Sequence, residues 1–171
     1  MTAVDIRPMR EDDWADVERI YAEGIATGQA TFEAAPPARE AFLTTRVEGL
    51  SWVAEREGAV VGWAAASRVS GRAVYRGVVE HSVYVSEAAR GHGVGRLLLE
   101  KFLESADALG VWLVQSSIFP ENAGSLALHD RCGFRIVGRR EGIAKMTYGP
   151  DAGRWRDTLL LERRSRVAGI D

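Results

Sequence analysis

Three glycines stand at alternate positions in residues 90–96, RGHGVGR, directly before an apolar segment with helical spacing. The residues that give this spacing and its expected end are Val94, Leu97, Leu98, Phe102, Ala106, Leu109 and Gly110. Glycine is unfavourable beside a helix unless the backbone adopts a positive φ or approaches another group closely. Because amide groups at a helix start lack intrahelical partners and carry partial positive charge, the stretch predicts a cradle for phosphate.

The same stretch lacks the features of two common nucleotide-binding motifs. A P-loop requires a lysine and then Ser or Thr after its last glycine, whereas Arg96 follows Gly95 here. A dinucleotide fingerprint requires GxGxxG, which fails whether it is counted from Gly91 or from Gly93. No carboxylate occurs in the next apolar run, 111–119, where a ribose-binding residue is expected. These absences argue against nucleotide hydrolysis and hydride transfer.

A carboxylate lies in the predicted strand that precedes the glycines. Alternation in YRGVVEHSVYV, 75–85, puts Glu80 on one face with Ser82 and Tyr84, and His81 on the other. An unpaired buried charge is costly. Glu80 is therefore either an edge residue in water or a buried group with a chemical task, and the residues alone leave both interpretations open.

The histidines, the cysteine and the tryptophans each have a structural interpretation as well. His81, His92 and His129 do not form a metal-ligand motif, and ordinary hydrogen-bonded histidines are favoured over a metal site. His129 and Cys132 have the spacing of a thiol and base pair, but a small buried cysteine at a helix end is the preferred interpretation. The tryptophans are interpreted as core residues: Trp14, Trp52, Trp63, Trp112 and Trp155.

Length and composition favour one domain over residues 1–171, with a core at about 3–163 and a short C-terminal tail. The net charge of −2 provides no general basic field for nucleic acid or an anionic membrane. The arginines between 154 and 166 are interpreted as a solvated surface. A single cysteine, a polar start and the lack of a long apolar run favour a cytoplasmic protein without a membrane span.

The order of elements predicts an α+β fold, a mixed central sheet flanked by helices in a three-layer sandwich. A strand at 3–8 precedes a helix that begins at Asp12 or Asp13 and ends before Gly28. The remaining predicted elements are a helix at 42–49, a hairpin of strands 52–57 and 59–67, strands 75–85 and 111–118, a helix at 122–131, and strands after Gly133 and Gly153.

Several segments, in the right order, resemble the GCN5-related N-acetyltransferases. RGHGVG has their Gln/Arg-x-x-Gly-x-Gly/Ala form, and NAGSLALHDRCGF, 122–134, is similar to their asparagine-containing helix that ends in Gly-Phe. TGQATFE, YRGVVEHSVYV, SLALHDRCGF and GRWRD resemble the branch that acetylates phosphinothricin and methionine sulfoximine. The resemblance covers nearly the whole chain.

The resemblance implies that acetyl-CoA is the phosphate ligand and co-substrate, with no metal. Val83–Val85 would offer backbone groups to the pantetheine arm, and Gly91–Arg96 would offer amides to the pyrophosphate. The backbone pairing of the predicted strand 75–85 would open after Val83. The residues expected to bind the coenzyme are Val83, Tyr84, Val85, Gly91, His92, Gly93, Val94, Gly95, Arg96, Asn122 and Ser125.

The resemblance also implies a reaction and a substrate class. Glu80 would be the general base for transfer of acetyl to the α-amine of a small amino acid or analogue, and His129 is a candidate acid for the departing thiolate. The residues expected to bind substrate are Phe32, Glu33, Arg72, Arg76, His81 and Ser82. A homodimer is expected by analogy. The alternatives are acetylation of a peptide N-terminus or another amine, and a non-catalytic acyl-CoA-binding module.

Overall fold

The computed structural model describes residues 3–170, which form a seven-stranded sheet with helices on both faces. The strands are β1 Asp5–Pro8, β2 Arg46–Arg56, β3 Ala59–Arg68, β4 Val78–Val85, β5 Leu113–Ile118, β6 Arg135–Lys145 and β7 Trp155–Arg164. The helices are α1 Trp14–Ala26, α2 Arg39–Thr45, α3 Val94–Ala108 and α4 Ala123–Arg131. None of these helices has the length and apolar character needed to cross a membrane.

The sheet is mixed, with strand order β1-β2-β3-β4-β5-β7-β6. The β4–β5 neighbours are parallel, and every other neighbouring pair is antiparallel. Parallel neighbours require a crossover, and α3 provides it between β4 and β5. This topology confirms the predicted α+β sandwich.

Two apolar clusters cover the opposite faces of the sheet. On one face, Trp63 of β3 stacks on Tyr21 of α1 and contacts Phe42 of α2 edge to face. On the other face, Ala64 packs in a cluster that includes Phe102 of α3 and the partly buried Leu128 of α4. Because neighbouring strand residues point to opposite faces, β3 is buried on both sides by these two layers.

The end of α3 shows why Gly110 stops the helix. Gly110 has φ +77, in the left-handed region that glycine adopts without strain. The Gly110 amide donates to the Asp107 carbonyl at 3.1 Å, and the Val111 amide donates to Ala106 at 2.9 Å. These two bonds are those of a Schellman cap, which satisfies carbonyls at a helix end. The predicted stop at Gly110 is confirmed.

The predicted bounds of the second helix and two expectations about burial are wrong. The helix expected at 42–49 is α2, which ends at Thr45, and β2 then begins at once. Gly49 has φ +80 within β2, a conformation incompatible with a helix. Trp155 is 66% exposed rather than in the core. Arg156, expected on the solvated surface, is buried.

The parallel strands β4 and β5 separate along their length. They are paired only at Val78–Leu113, Val79–Val114 and Glu80–Gln115. Beyond Glu80 the two strands continue without partners across the gap. An opening was expected after Val83, so the structure places it three residues earlier.

Candidate active site

Two clefts meet where β4 and β5 separate. The larger cleft, about 860 Å³, lies between residues 81–85 of β4, the glycine loop and the first turns of α4. The smaller cleft, about 330 Å³, lies on the other side and is covered by residues 30–33. His81, Ser82 and Tyr84 contribute to the lining of both. These shared residues place the two clefts next to each other at the opening.

The glycine loop of the larger cleft uses its glycines for two purposes. Gly91 has φ +76 and Gly93 has φ +80, so both require the left-handed conformation. Gly95 has a different reason, because an added Cβ would lie 3.2 Å from Leu128 Cδ2 and 3.5 Å from Val85 Cγ2. The glycine at 95 thus lets the start of α3 pack closely against β4 and α4.

The amide groups of this loop are open to a ligand. Within residues 3–170, the first amides of α3 with a hydrogen-bond partner are those of Arg96 and Leu97, which both donate to the Gly93 carbonyl at 3.1 Å. The preceding amides, from residue 91 to residue 95, have no partner in that part of the chain. Unpartnered amides at a helix N-terminus favour an anion.

The polar side chains of the loop contact other groups of the protein. His92 is exposed, and its Nδ1–H donates to the Arg90 carbonyl at 2.8 Å. Arg90 donates from Nε to the Val85 carbonyl at 3.1 Å. Arg96 forms an ion pair with Glu100 at 2.6 Å on the exposed side of α3. These three contacts leave the amides of residues 91–95 unoccupied.

Asn122 joins the larger cleft to the loop that covers the smaller one. Its Oδ1 accepts from the Ser125 amide at 3.1 Å and so caps α4. Its Nδ2 donates to the Gln29 carbonyl at 3.0 Å. One side chain thus fixes both the start of α4 and the first part of the covering loop.

Arg156 of β7 also binds the loop that covers the smaller cleft. Its guanidinium donates to the Gly28 carbonyl at 2.6 Å and to Gln29 Oε1 at 2.7 Å. It also lies 3.7 Å from the centre of the Phe119 ring and 3.3 Å from Glu121 Oε2. The planar fork of arginine suits several acceptors at once. The hydrogen bonds of this buried cation therefore hold residues 28–29 in place.

Two further contacts complete the cover of the smaller cleft. Tyr148, in the loop between β6 and β7, donates from its hydroxyl to the Thr31 carbonyl at 2.7 Å. Phe32 packs edge to face on Phe119, with ring centres 4.9 Å apart. Residues 28–32 are thus attached to α4, β7 and the β6–β7 loop.

Glu80 faces the smaller cleft at the edge of the opening. It is partly buried, and its Oε2 accepts a hydrogen bond from Gln115 Nε2 at 2.9 Å. This bond occupies one carboxylate oxygen and fixes the carboxylate in the last paired position of β4 and β5. The second carboxylate in the lining is Glu33. The sequence left open whether Glu80 is an edge residue in water, and the structure places it at a cleft.

Aromatic side chains form the wall beside Glu80. Tyr84 stacks on Tyr21 with ring centres 4.8 Å apart, and on Trp63 at the same distance. Burial raises the pKa of both tyrosine hydroxyls, so they remain protonated donors at neutral pH. Gly24 of α1 permits this stack, because a Cβ there would lie 2.5 Å from the Tyr84 ring.

His81 and His129 lie on the opposite face, against the larger cleft. Their Nε2 atoms are 2.9 Å apart, and His129 Nδ1 is 2.7 Å from the Ser125 carbonyl oxygen. Burial lowers the pKa of both rings, that of His81 strongly. His129 therefore contacts another histidine rather than the Cys132 thiol. The thiol and base pair therefore does not describe His129.

The structure brings most of the predicted site residues to the two clefts. The predicted residues that line the larger cleft are His81, Ser82, Val83, Tyr84, Val85, Gly91, Gly93, Val94, Gly95, Arg96, Asn122, Ser125 and His129. The predicted residues that line the smaller cleft are Phe32, Glu33, Glu80, His81, Ser82 and Tyr84. His92 lies on the glycine loop beside the larger cleft.

Arg72 and Arg76 are not brought to either cleft. Both are exposed near the turn before β4, where Arg72 lies over the Tyr75 ring and Arg76 over the Trp112 ring, each at 5.4 Å. Neither contributes to the lining of the smaller cleft. Their expected contact with a substrate carboxylate stays a prediction that this geometry does not support.

Sequence reasoning missed Gln29, Gln115, Tyr148 and Arg156. Gln115 had a detectable signal, because it begins a polar trio inside an otherwise apolar run, VWLVQSSIF. Arg156 had none, because it stands among several C-terminal arginines and its burial depends on the fold. Gln29 and Tyr148 lie in loops without periodicity. Their contacts join segments about 100 residues apart, which local patterns do not report.

A sheet that opens beside a glycine-rich helix start, with a carboxylate at the opening, is the architecture of an acyl-CoA-dependent acetyltransferase. The family model described as the acetyltransferase (GNAT) family matches residues 9–134. The chain belongs to this family, and the predicted family is thereby confirmed.

Curated relatives and solved structures agree with the family. The chain is 36% identical over 168 residues to a phosphinothricin N-acetyltransferase of Alcaligenes faecalis, covering 94% of this chain and 82% of that protein. It is 30% identical over 166 residues to an L-methionine sulfoximine/L-methionine sulfone acetyltransferase of Pseudomonas aeruginosa, covering 94% of both. A phosphinothricin acetyltransferase from Sinorhizobium meliloti in complex with AcCoA superposes with a TM-score of 0.85 at 32% identity, covering 100% of this chain and 92% of that one.

Proposed function

We propose that the protein transfers acetyl from acetyl-CoA to the α-amine of a small amino acid or amino-acid analogue. The single observation that carries the proposal is the position of Glu80, where β4 and β5 part and the two clefts meet. The relatives named above act on amino-acid analogues by their names, and one was crystallised with acetyl-CoA. The chain would use the larger cleft for the coenzyme and the smaller one for the amine.

The residues of the larger cleft fit an acyl-CoA. Its diphosphate carries negative charge, and the unpartnered amides of residues 91–95 would donate hydrogen bonds to it at the start of α3. Its pantetheine arm contains amides, and the β4 backbone beyond Glu80 lacks a β5 partner on that side. Asn122 and Ser125 line the same cleft at the start of α4. Bound acetyl-CoA would supply an activated thioester, and the residues of the cleft would hold that thioester in position for attack.

Glu80 would act as the general base. An α-amine is mostly protonated at neutral pH and has no lone pair for attack, so a nearby base must remove a proton first. Gln115 would keep the carboxylate oriented, since its amide already bonds one oxygen. Such assistance contributes about 10²–10⁴-fold in rate. Holding the amine against the thioester across the opening would supply much of the remainder.

The residues over the smaller cleft would position the amine. Phe32, Glu33 and Ser82 line it together with the Tyr84 wall. The covering loop is fixed by Asn122 and Arg156, so a substrate meets a largely preformed site. Preorganisation lowers the entropy cost of binding.

The test combines a substrate panel with one substitution. We expect release of CoA, detected with a thiol reagent, when acetyl-CoA is mixed with methionine sulfoximine, phosphinothricin or related amino acids. Glu80→Gln should lower kcat by about 10²–10⁴-fold while calorimetry shows unchanged acetyl-CoA affinity. Glu104→Gln is the control, because Glu104 is an exposed α3 residue paired with Lys101. Turnover confined to peptides, or coenzyme binding without turnover on any amine, would defeat the proposal.

We also propose that the protein is a homodimer that uses the β6 edge of the sheet. In the described part of the chain, 3–170, β6 is an edge strand paired with β7, and it carries the exposed apolar residues Ile136, Val137 and Ile143 beside exposed Trp155. An exposed apolar edge strand is prone to self-association. Ile143 also lines the smaller cleft, so a second copy would lie close to the substrate site. Light scattering should give twice the chain mass, and Ile136→Lys should reduce it; a monomeric parent protein would refute the assembly.

A further inference from the structure

The charges of the smaller cleft limit the substrates that it can bind. Two carboxylates line this cleft, Glu80 at the opening and Glu33 in the covering loop. Among the described residues, 3–170, no lysine or arginine contributes to the lining. His81 also lines the cleft, but burial lowers the pKa of its ring, which is therefore neutral at neutral pH. The fixed charge of this lining is thus negative.

The arginines around the cleft are directed to other groups of the protein. Arg46 lies over the Phe42 ring, 4.2 Å from its centre. Arg156 donates to the Gly28 carbonyl and to the Gln29 side chain. Neither arginine is part of the lining of the smaller cleft. A negatively charged group in this cleft would therefore contact neither cation.

Glu33 is the carboxylate that the side chain of a substrate would meet. It is exposed and lies in the covering loop next to Phe32, which packs on Phe119. Its carboxylate forms no ion pair in the described part of the chain. Burial raises the pKa of the Tyr21 hydroxyl in the cleft wall, and the Glu33 charge adds to that rise. The charge of Glu33 therefore acts on groups that line the cleft.

Hydroxyl groups form much of the remaining polar lining. They belong to Tyr21, Thr31, Ser82, Tyr84, Ser117 and Thr158. The Thr158 hydroxyl oxygen is enclosed, whereas Ser117 is an exposed residue of β5 beyond the last β4–β5 pair. Thr31 Oγ1 accepts from the Glu33 amide at 3.1 Å and so keeps its own hydrogen for donation. Neutral donors of this kind suit an uncharged acceptor, such as the oxygen of a sulfone or an amide.

The position of the proposed base sets the direction in which a substrate lies. Glu80 is at the point where β4 and β5 part, and the coenzyme would occupy the larger cleft on the other side. An amino acid with its amine at Glu80 must therefore extend its side chain away from the opening, under residues 30–33. The end of that side chain then lies among the hydroxyl groups and beside Glu33.

We propose that the smaller cleft selects α-amino acids whose side chain ends in a neutral hydrogen-bond acceptor, and that Glu33 excludes those whose side chain carries a negative charge. This inference rests on the proposed function and adds the substrate class to it. An anionic side chain would lose water beside a like charge, with no cation in the lining to pair with it. An uncompensated charge of this kind is a means by which a site rejects a close analogue.

Two nearly isosteric amino acids test the effect of charge alone. Methionine sulfone and phosphinothricin have the same carbon chain, and each ends in a tetrahedral centre with one methyl group and two oxygens. The sulfone is neutral, whereas the phosphinate is an anion at neutral pH. We expect kcat/KM for the sulfone to exceed that for phosphinothricin by about 10-fold or more, mainly through KM. Norleucine, whose side chain has no acceptor, should also be used less well than the sulfone, and a preference for norleucine or phosphinothricin would overturn the inference.

One substitution assigns the selection to Glu33. Glu33→Gln removes the charge and keeps the size of the side chain. We expect the preference for the sulfone over phosphinothricin to fall by about 10-fold, because both probes share the α-amine and the α-carboxylate and differ in charge at the other end. High salt should also narrow the preference of the parent protein, since salt screens an exposed charge. Glu40→Gln is the matched control, because it removes the same charge from an exposed residue of α2 that lines neither cleft.

The outcomes separate this inference from the proposed function. If the parent protein acetylates both probes equally well, or if Glu33→Gln keeps the preference of the parent, the selection by charge is wrong and the acetyltransferase proposal stands. If Glu40→Gln shifts the preference as much as Glu33→Gln, the effect belongs to the net charge of the protein, and the inference is again wrong. If the parent protein acetylates no amine, the proposed function fails and the selection fails with it.

Discussion

Replacing Arg156 with lysine tests whether one buried cation holds the covering loop in place. Arg156 donates to the Gly28 carbonyl and the Gln29 side chain while its guanidinium lies over Phe119. Lysine keeps the charge but has one nitrogen and no planar fork. The substitution therefore removes at least one charged hydrogen bond and the ring contact from a site that is 7% exposed.

The expected loss follows from these contacts. A hydrogen bond to a charged group contributes about 1.5–3 kcal/mol, and a desolvated cation–π contact about 2 kcal/mol or less. The Glu121 carboxylate is 61% exposed, so its ion pair adds little. We expect Arg156→Lys to lower the free energy of unfolding by about 2–4 kcal/mol. Release of residues 28–32 should also raise KM for the amine more than KM for acetyl-CoA.

The matched control is Arg154→Lys, two positions away on the same segment. Arg154 is 75% exposed and pairs with Asp151 at 3.1 Å, an interaction worth about 0–1 kcal/mol. Urea unfolding of both variants, with unchanged slopes, gives the comparison. If Arg156→Lys lies within about 0.5 kcal/mol of the control, the anchoring explanation is refuted.

Gly93→Ala should fold, because no atom lies within 4 Å of the new Cβ, but φ +80 costs about 1–2 kcal/mol for alanine. Calorimetry should show acetyl-CoA binding weakened by up to roughly 30-fold, and unchanged affinity would contradict the cradle. Asn122→Asp retains the cap of α4 and loses the donor to Gln29, so Asn122→Ala should be less stable than Asn122→Asp by about 1 kcal/mol in urea. The pKa of both His81 and His129 is lowered by burial, so in the range below about pH 6.5 the unfolded chain takes up protons that the folded chain does not. The free energy of unfolding should therefore fall as pH falls through this range, by at most about 1.4 kcal/mol per pH unit for each ring, and a flat profile between pH 7 and 5 would contradict neutral buried rings.

Local patterns were sufficient for the elements whose signal lies within one segment. The apolar spacing of α1 and α3 predicted both helices because each buries one continuous stripe. The Gly110 stop was equally local, since a positive φ after the last helical turn is a backbone requirement. The glycine loop was found for the same reason.

The remaining features depend on segments that are distant in the sequence. The strand opening begins after Glu80 because pairing with β5 ends at Gln115, and register cannot be read from either strand alone. The buried Arg156 guanidinium donates to the Gly28 carbonyl, which lies 128 residues earlier in the sequence. The histidine contact likewise joins residues 48 apart. Composition and spacing identified the candidate residues, but they did not predict these long-range contacts.

The separation of β4 and β5 has a mechanical consequence. Within residues 3–170, three register pairs join a four-strand half, β1 to β4, to a three-strand half, β5 to β7, next to the Trp112 and Leu113 amides that donate to the Gly77 carbonyl. Because the pairing ends at Glu80, a rotation of one half relative to the other would pivot near that residue. Such a rotation would change the separation of β4 and β5 most at their unpaired ends, around Val85 and Ile118. A substitution outside the clefts that reorients β5 and β7 should therefore change the affinity for a bound molecule, although the substituted residue does not contact that molecule.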